Sequence, residues 1–332
     1  MMALVTLSSG KKFSAPSGVS ILDAASQAHI ALPYSCKTGR CSTCKCKVIS
    51  GATQALHPEV GLTEAEKAEG WILSCIRSAA SDALLEVDDL GDVVLPIAKT
   101  LPCRINAIDR LTHDVVRVFL RLPPSADFRF IPGQYIEVIG PQGIRRSYSL
   151  ANACSTEKLL ELHIRAVAGG AMSHYWFNQA QPNDLLRLNG PLGTFFLRET
   201  AGVDLIFLAT GTGMAPVKAM LESMPTLLPD QQPKSVTVVW GGRQSHDLYL
   251  DVTEIPGSHT YIPVLSRPSD AWNGATGYVQ DVLLASKPDP AKSVVYACGS
   301  DAMIQSARNR LVQAGLPEKR FHSDAFVSSG KN

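Results

Sequence analysis

The spacing of apolar residues changes twice along the 332-residue chain and divides it into three segments. Residues 1–94 mix short strands with helix starts, which predicts an α+β unit of the β-grasp type. Residues 95–199 contain short runs of alternating apolar and polar residues separated by turns, a pattern typical of an antiparallel β-barrel. From residue 200 to 332 apolar strands alternate with helices, which predicts a doubly wound parallel sheet. We therefore expect a multidomain protein with these three domains.

Two capping signals predict where the helices of the first segment begin. Ser20 is followed by Asp23, and Thr63 is followed by Glu66, each pair just ahead of a helical stretch. A hydroxyl at this position accepts a hydrogen bond from a backbone N–H of the first helical turn. Gly70 is typical of a residue that follows a helix end, so the second helix is expected to stop there.

The other two segments consist mainly of predicted strands. Barrel strands are expected at Val115–Leu122, Gln134–Ile139 and Leu160–Arg165. Strands of the parallel sheet are expected at Leu205–Ala209, Val236–Trp240, Tyr261–Leu265 and Val294–Cys298, with helices after Met214 and after Asp301. Prolines in the stretch Leu95–Pro102 predict an irregular link between the first two domains.

The composition limits the possible functions. With 45% hydrophobic and 18% charged residues, the chain resembles an ordinary globular protein. Its net charge of +1 argues against nucleic-acid binding, which requires a basic surface. No apolar run is long enough to span a membrane, and the N-terminus lacks a signal-peptide pattern. We expect a cytoplasmic protein that binds neither nucleic acid nor membrane.

Four of the eight cysteines follow the pattern C-x4-C-x2-C with a distant fourth: Cys36, Cys41, Cys44 and Cys75. This spacing is that of plant-type [2Fe–2S] ferredoxins, in which four thiolates hold two irons. Gly39 allows the loop backbone to approach the inorganic sulfurs. A structural zinc site would need a second C-x2-C pair, and a disulfide framework is typical of short secreted chains. Because the predicted cluster passes single electrons, the rest of the chain should supply or consume them.

Two motifs in the second segment have the chemistry of a cofactor site. Arg146-Ser-Tyr-Ser149 offers a guanidinium for a phosphate, an aromatic face for a flat ring and a hydroxyl for a ring nitrogen. Gly170-Ala-Met-Ser173 precedes a predicted helix, whose first backbone N–H groups can bind a diphosphate. The first motif alone fits an exposed barrel strand, but the second makes a cofactor site the better interpretation.

A glycine-rich turn follows the first strand of the third segment. Gly211-Thr-Gly213 permits a tight turn, and Pro216 fits the first turn of the next helix. Pro216 stands where the third glycine of G-x-G-x-x-G would fall, so the motif alone is weak. Cys298-Gly299 lies at the end of a later strand, where a buried free cysteine is the alternative. Both motifs follow predicted parallel strands, and this position favours a dinucleotide site.

The three segments in this order resemble the ferredoxin–NADP reductase superfamily with an N-terminal plant-type ferredoxin domain. The resemblance implies FAD, since FMN is confined to a minority branch whose ferredoxin domain lies at the other end of the chain. It assigns flavin binding to Arg146, Ser147, Tyr148, Ser149, His163, Ile164, Arg165, Gly170, Ala171, Met172 and Ser173. It assigns nicotinamide-nucleotide binding to Gly211, Thr212, Gly213, Cys298 and Gly299, and Arg243 and Phe326 are further cofactor-binding candidates. Ser149, Cys298 and Phe326 are the implied catalytic residues.

The same resemblance implies a path for electrons. NADH passes a hydride to FAD, FAD holds two electrons and releases them singly, and the cluster passes each one to a partner enzyme. A redox-sensing module would be a different class of function, but the complete hydride site favours an enzyme.

Two positions leave alternatives open. Phe326 follows Asp324 in a Ser-Asp-Ala-Phe sequence, and it could cover the flavin ring or make a core contact. Arg243 could bind the 2′-phosphate of NADPH. NADPH users of this superfamily usually carry more basic or hydroxyl residues in that region, where this chain has Asp247. We therefore expect NADH, with NADPH possible.

Within the superfamily, the chain more closely resembles the reductases of 3,6-dideoxyhexose synthesis, the CDP-6-deoxy-Δ3,4-glucoseen reductases. The resemblance is carried by Pro132–Ile136, Arg146–Asn152, Gly190–Phe196, Gly211–Lys218, Tyr296–Ser300 and Ser323–Phe326. It implies a pyridoxamine-phosphate dehydrase as electron acceptor, and a Rieske or diiron oxygenase is the alternative. Ser42 stands where such reductases often have glycine, a change that we expect to be tolerated.

Basic residues surround the cysteine loop although the first segment has 8 basic and 10 acidic residues. The four cations are Lys37, Arg40, Lys45 and Lys47. We expect an acidic patch of the electron acceptor to dock near them, with an attraction that weakens as salt rises. A merely solvated loop is the alternative.

Overall fold

The computed structural model describes residues 2–154 and 157–326. They form two compact units, one that ends at Leu95 and one that spans Pro96–Phe326. Among the described helices, none combines the length and the apolar character needed to cross a membrane.

The first unit is a mixed sheet packed against a helix. Its strands are β1 (Met2–Leu7), β2 (Lys12–Pro16), β3 (Lys45–Ser50), β4 (Thr53–Ala55), β5 (Trp71–Leu73), β6 (Arg77–Ala79) and β7 (Ala83–Glu86), and its helices are α1 (Ile21–Gln27) and α2 (Glu64–Ala68). The main sheet has the order β2-β1-β7-β3-β5, in which β1 and β7 are parallel neighbours. The cysteine loop lies between α1 and β3.

Both predicted helix starts are confirmed. The Ser20 side chain accepts a hydrogen bond from the backbone N–H of Asp23 at 3.0 Å. Thr63 and Glu66 form a reciprocal capping box. Gly70 follows the second helix with a φ of +87°, a conformation that glycine adopts without strain.

The first part of the second unit is an antiparallel barrel. Its elements are β8 (Lys99–Arg110), β9 (Val115–Arg121), β10 (Tyr135–Ile139), β11 (Arg145–Ser149), β12 (Leu159–Arg165), α3 (Ala171–Asn178) and β13 (Leu185–Leu192). The sheet order is β11-β10-β13-β8-β9-β12. A bridge between Leu150 and Leu162 joins the two outer strands, so the sheet nearly closes on itself.

The link predicted over Leu95–Pro102 is shorter in the structure, because β8 begins at Lys99. Pro102 lies inside β8 opposite Arg187 of β13. On its other side β8 pairs with β9 only from Arg104 onward. The missing N–H of Pro102 therefore leaves no bond to β9 unmade.

The second part of this unit is a parallel sheet with helices. Its elements are β14 (Asp204–Thr210), α4 (Met214–Ser223), β15 (Ser235–Gly242), β16 (Thr260–Leu265), β17 (Ala275–Thr276), α5 (Val279–Ala285), β18 (Ser293–Gly299), α6 (Asp301–Gln313) and β19 (Phe321–Ala325). The strand order is β17-β16-β15-β14-β18-β19. From β14 the chain adds β15, β16 and β17 on one side and then β18 and β19 on the other, so the switch point lies between β14 and β18. Ligands of open parallel sheets bind at such a switch point, beyond the carboxyl ends of the strands.

The barrel and the parallel sheet share part of a hydrophobic core. Val115 and Phe195 from the barrel pack in one cluster with Phe207, Met220 and Tyr296 of the parallel-sheet part. The two parts are therefore held together by buried apolar surface as well as by the polar contacts described below.

Candidate functional site

The four predicted cluster ligands come together as two pairs. The Sγ atoms of Cys44 and Cys75 are 3.2 Å apart, although 31 residues separate them in the chain. Cys36 and Cys41 are linked by a side-chain hydrogen bond. Two thiolates on each of two irons is the donor set of a plant-type [2Fe–2S] cluster.

The protons of these thiols are shared within each pair. The hydrogen bond from Cys41 lowers the pKa of Cys36 to about 4, while the same contact raises the pKa of Cys41. The contact between Cys44 and Cys75 lowers the pKa of Cys75 and raises that of Cys44. One sulfur of each pair is thus stabilised as a thiolate, the form that binds metal.

The loop backbone also fits a cluster. The N–H of Cys36 donates to the Sγ of Cys41 at 3.4 Å, and the N–H of Thr38 donates to the Sγ of Cys36 at 3.3 Å. The buried Thr43 hydroxyl lacks a partner of normal hydrogen-bond geometry among the described residues. It lies near enough to Cys41 to lower the pKa of that thiol. Donors beside the sulfurs and a spare hydroxyl suit sulfide ligands.

The cysteine loop carries Ser42 at a position where related reductases often have glycine, and the Ser42 side chain makes a hydrogen bond there. Its φ is +58°, in the left-handed region that favours glycine. The Ser42 hydroxyl donates to the carbonyl oxygen of Gly61 at 2.5 Å. A Cβ on Gly61 would lie 2.8 Å from that hydroxyl oxygen and 2.9 Å from the Arg40 carbonyl oxygen, so this close approach requires glycine at position 61.

The predicted flavin motif lies on β11. The Arg146 side chain is exposed, and its guanidinium donates to the carbonyl oxygen of Arg145 at 2.7 Å. The Tyr148 hydroxyl accepts a hydrogen bond from the Trp176 indole at 3.0 Å, which fixes the phenol ring. Ser149 is buried at the end of the strand.

The predicted diphosphate turn lies beside this strand. Gly170 caps α3 without a side-chain hydrogen bond, so the first N–H groups of that helix are open to a ligand. The Ser173 hydroxyl accepts from the N–H of Val167 at 2.9 Å and holds the turn in shape. A Cβ on Gly140 would lie 2.4 Å from the Met172 sulfur, which shows how closely α3 packs on the barrel.

The side chains of His163 and Arg165 have protein partners. His163 contacts Glu161 at 2.8 Å, and Arg165 forms ion pairs with Asp114 and Asp247 at 3.1 and 2.7 Å. Both side chains are therefore engaged within the protein, so a flavin contact at these two residues would have to use the backbone. The intervening residue of β12, Ile164, has a buried side chain.

The two loops at the switch point interlock through glycines. A Cβ on Gly213 would lie 2.2 Å from the carbonyl oxygen of Cys298, and one on Gly299 would lie 2.1 Å from the Thr210 hydroxyl. The Gly211 carbonyl oxygen accepts a hydrogen bond from a buried indole. The structure thus brings the predicted nucleotide residues Gly211, Thr212, Gly213, Cys298 and Gly299 together at one crevice.

Cys298 itself lies inside the core. Its side chain is fully buried, and burial raises the pKa of its thiol well above the usual value. Direct contact of this thiol with a nicotinamide ring is therefore not supported by the observed packing. Its backbone, by contrast, lies against Gly213.

Phe326 lies next to this crevice. Its backbone N–H donates to the carbonyl oxygen of Gly299 at 2.9 Å, and its side chain is 41% exposed. The exposed ring favours a covering role over a core contact. Asp324 is buried two residues earlier, opposite Cys298 in β18.

Arg243 follows β15 and is held by Asp247, whose carboxylate accepts from the backbone N–H groups of Arg243 and Gln244 at 2.8 and 3.0 Å. The N–H of Arg267 donates to the carbonyl oxygen of Arg243 at 2.8 Å, so a second exposed arginine stands beside the first. Sequence reasoning missed Arg267, because only the pairing of β15 with β16 brings the two loops together.

Two of the four basic residues around the cysteine loop have carboxylate partners. Lys37 Nζ lies 3.1 Å from Asp23 Oδ1, and Lys45 Nζ lies 3.1 Å from Glu66 Oε1. Lys47 lies over an aromatic ring. Asp23 of α1 and Glu66 of α2 thus pair with lysines that have no acidic neighbour next to them in the sequence.

Three family models match successive parts of the chain. The model described as a 2Fe-2S iron-sulfur cluster binding domain matches residues 5–79. That of an oxidoreductase FAD-binding domain matches residues 102–197, and that of an oxidoreductase NAD-binding domain matches residues 207–309.

Known proteins resemble the chain over nearly its whole length. The CDP-6-deoxy-L-threo-D-glycero-4-hexulose-3-dehydrase reductase of Yersinia pestis is 41% identical over 97% of both chains. The xylene/toluene monooxygenase electron transfer component XylA of Pseudomonas putida is 33% identical over 96% of this chain and 92% of its own. Among solved structures, the Amycolatopsis cytochrome P450 reductase GcoB is 29% identical, with a TM-score of 0.78 over 99% of this chain and all of its own.

The Ser42 pairing predicts the effect of two substitutions at one position. S42A removes the hydrogen bond and keeps the positive φ, so it should destabilise the cysteine loop by about 1–2 kcal/mol. S42G also removes the bond but adopts the positive φ freely, so its effect should be smaller. The measurements are iron and sulfide content and the temperature at which the visible absorbance of the cluster is lost.

S17A, in an exposed turn of the same unit, is the matched control and should behave like the unmodified protein. Equal cluster stability in S42A and S42G would contradict the role of the backbone conformation.

Proposed function

Because the chain belongs to the family of NAD(P)H-dependent iron–sulfur flavoprotein reductases, we propose that it supplies electrons to a dehydrase that deoxygenates a nucleotide-linked hexose. When bound, FAD and the [2Fe–2S] cluster supply hydride acceptance and single-electron transfer. The observation that carries the proposal is the 41% identity, across 97% of both chains, with the hexulose-dehydrase reductase of Yersinia pestis.

The chain's own residues support each part of this activity. Cys36, Cys41, Cys44 and Cys75 would hold the two irons as two thiolate pairs. The β11 motif with the α3 N-terminus offers an aromatic ring, a guanidinium and backbone donors for the flavin and its diphosphate. The glycine loops Gly211–Gly213 and Cys298–Gly299 contact each other at the switch point, where open parallel sheets bind dinucleotides.

The nucleotide proposed is NADH, with NADPH as a slower donor, because Asp247 lies in a region where NADPH users of the superfamily usually carry basic or hydroxyl residues. Asp247 is buried and engaged with backbone N–H groups and with Arg165, so it shapes the loop that carries Arg243. Arg243 and the adjacent Arg267 are exposed, and a 2′-phosphate placed there would meet two guanidinium groups.

Replacing both arginines should therefore affect NADPH far more than NADH. We expect R243A/R267A to lower kcat/KM for NADPH by about 10- to 100-fold, the loss of one or two charge-assisted bonds, and for NADH by less than threefold. The assay is ferricyanide reduction with each nucleotide. A preference for NADPH in the unmodified protein would contradict the NADH assignment. Equal losses of kcat/KM for the two nucleotides in R243A/R267A would show that the arginines do not bind the 2′-phosphate.

The acceptor is tested by direct reconstitution. With NADH and a hexulose dehydrase that carries its pyridoxamine phosphate and its sugar nucleotide, we expect one deoxygenated sugar per NADH consumed. The oxygenase components served by the relatives of 30–33% identity are the competing acceptors. Turnover at least tenfold faster with the dehydrase supports the proposal, and faster reduction of a Rieske or diiron oxygenase component would replace it.

We further propose that the acceptor docks beside the cysteine loop, near Lys37, Arg40, Lys45 and Lys47. Lys45 and Lys47 lie 4.6 and 5.6 Å from the centre of the Trp71 ring, which gives this surface an aromatic centre with cationic neighbours. Since Lys37 and Lys45 already have carboxylate partners, the electrostatic attraction should be moderate.

Charge reversal tests this docking surface. K45E/K47E should slow acceptor reduction about tenfold at 50 mM salt and by little at 500 mM, because salt screens the lost attraction. NADH-dependent ferricyanide reduction should stay unchanged. K12E, an exposed lysine of β2, is the matched control. Equal rates for K45E/K47E and K12E at low salt would move the docking surface elsewhere.

A further inference from the structure

A buried group of polar side chains joins the barrel to the parallel-sheet part of the second unit. We call it the junction cluster, and it consists of Glu161, His163, Lys218, Glu222 and Tyr249. Glu161 and His163 belong to β12, Lys218 and Glu222 to α4, and Tyr249 to the segment after β15. Among them, the resemblance assigns a cofactor contact only to His163, and Lys218 ends the stretch Gly211–Lys218 that carries part of the resemblance.

Lys218 is the centre of the junction cluster. Its ammonium donates to the carbonyl oxygen of Ala151 at 3.0 Å, to Glu161 Oε2 at 2.9 Å and to Glu222 Oε1 at 2.6 Å. Its side chain is only 15% exposed. An ammonium group has three protons, and all three are used here. The sequence carries one signal of this role, a single lysine inside an otherwise apolar helical run.

The other side of Glu161 fixes His163. The imidazole Nε2 lies 2.8 Å from Glu161 Oε1, and Nδ1 lies 3.0 Å from the Tyr249 hydroxyl. Burial lowers the pKa of His163, so the ring is neutral at neutral pH. A neutral ring that donates from Nε2 to the carboxylate and accepts at Nδ1 from the hydroxyl satisfies every partner.

The junction cluster reaches the nucleotide loop through aromatic rings. The Tyr249 ring packs edge-on against Trp240, with centroids 5.0 Å apart. The Trp240 indole donates to the carbonyl oxygen of Gly211 at 3.0 Å. Lys218 and Glu222 also lie on the helix that follows Gly211–Gly213 directly.

The junction cluster also reaches the strand that carries the flavin motif. Ala151 lies two residues after Ser149, the end of β11, and its carbonyl oxygen accepts from Lys218. The N–H of Ala153 donates to Glu222 Oε2 at 3.0 Å. One buried set of bonds therefore holds both the segment that follows the flavin strand and the helix that follows the nucleotide loop.

We propose that Lys218 is a positioning residue, which holds the end of β11 and the loop Gly211–Gly213 in the register that hydride transfer requires. The inference rests on the assignment of the chain as a flavin reductase. Hydride transfer needs reacting atoms about 3–3.5 Å apart, and a displacement of about 1 Å can cost about 100-fold in rate. A buried ion pair contributes little net stability, so its use here is to fix one geometry.

The test measures reduction of bound FAD by NADH in single turnovers without air and without any acceptor. K218M should lower the limiting rate at least tenfold and change the Kd for NADH by less than threefold. The visible circular dichroism of the bound flavin should change as well, a signature that does not depend on turnover. K292M removes an exposed lysine of the same unit and should match the unmodified protein.

Two further variants separate positioning from stability. K218M leaves Glu161 buried without its cation, and K218M/E161Q removes that charge. The double variant should regain thermal stability but keep the slow limiting rate. E222Q, which removes one charged acceptor, should lower the rate about threefold.

Recovery of the rate together with stability in K218M/E161Q would reduce the cluster to a structural role and overturn the proposal. The proposal would also be overturned if K218M weakened NADH binding and left the limiting rate unchanged. If K218M does not fold, an unchanged limiting rate in E222Q would overturn it. None of these outcomes depends on which enzyme accepts the electrons.

Discussion

Gly213 lies so close to the Cys298 backbone that a Cβ would come within 2.2 Å of its carbonyl oxygen. This approach of one main chain to another sets the geometry of the crevice between β14 and β18. The matching approach of Gly299 to Thr210 fixes the opposite wall. α4 begins directly after Gly213, and the Phe326 N–H donates to the Gly299 carbonyl oxygen, so both are positioned by these loops.

The patterns that predicted the fold correctly depend on local chemistry. Ser20 and Thr63 cap their helices because their hydroxyl oxygens accept from backbone N–H groups of the first turn that have no partner within the helix. The parallel sheet follows from apolar strands alternating with helices, and the cysteine spacing follows from the cluster that four thiolates must hold. The family comparisons confirm the iron–sulfur function predicted from the cysteine spacing, and they confirm the FAD and NAD functions implied by the family resemblance.

The expectations that changed depend on contacts between distant parts of the chain. Nothing near Lys45 in sequence shows that Glu66 will neutralise it, because the ion pair forms only when α2 packs beside β3. The resemblance assigns Arg165 to flavin binding, but Asp247, 82 residues later, pairs with its guanidinium. Pro102 is expected to interrupt a strand, but it lies in β8 where β9 has already ended, so one side of β8 has no neighbouring strand there. Individual side-chain roles at the flavin and nucleotide sites remain predictions for the same reason.

Closure of the barrel by a bridge between Leu150 and Leu162 has a consequence for self-association of the protein. Within the described residues, β11 pairs along its length only with β10, and β12 only with β9. Unpaired strand edges are templates for self-association when nothing covers them. The contact that the Leu150–Leu162 bridge makes between these two edges therefore also limits self-association of the chain through them.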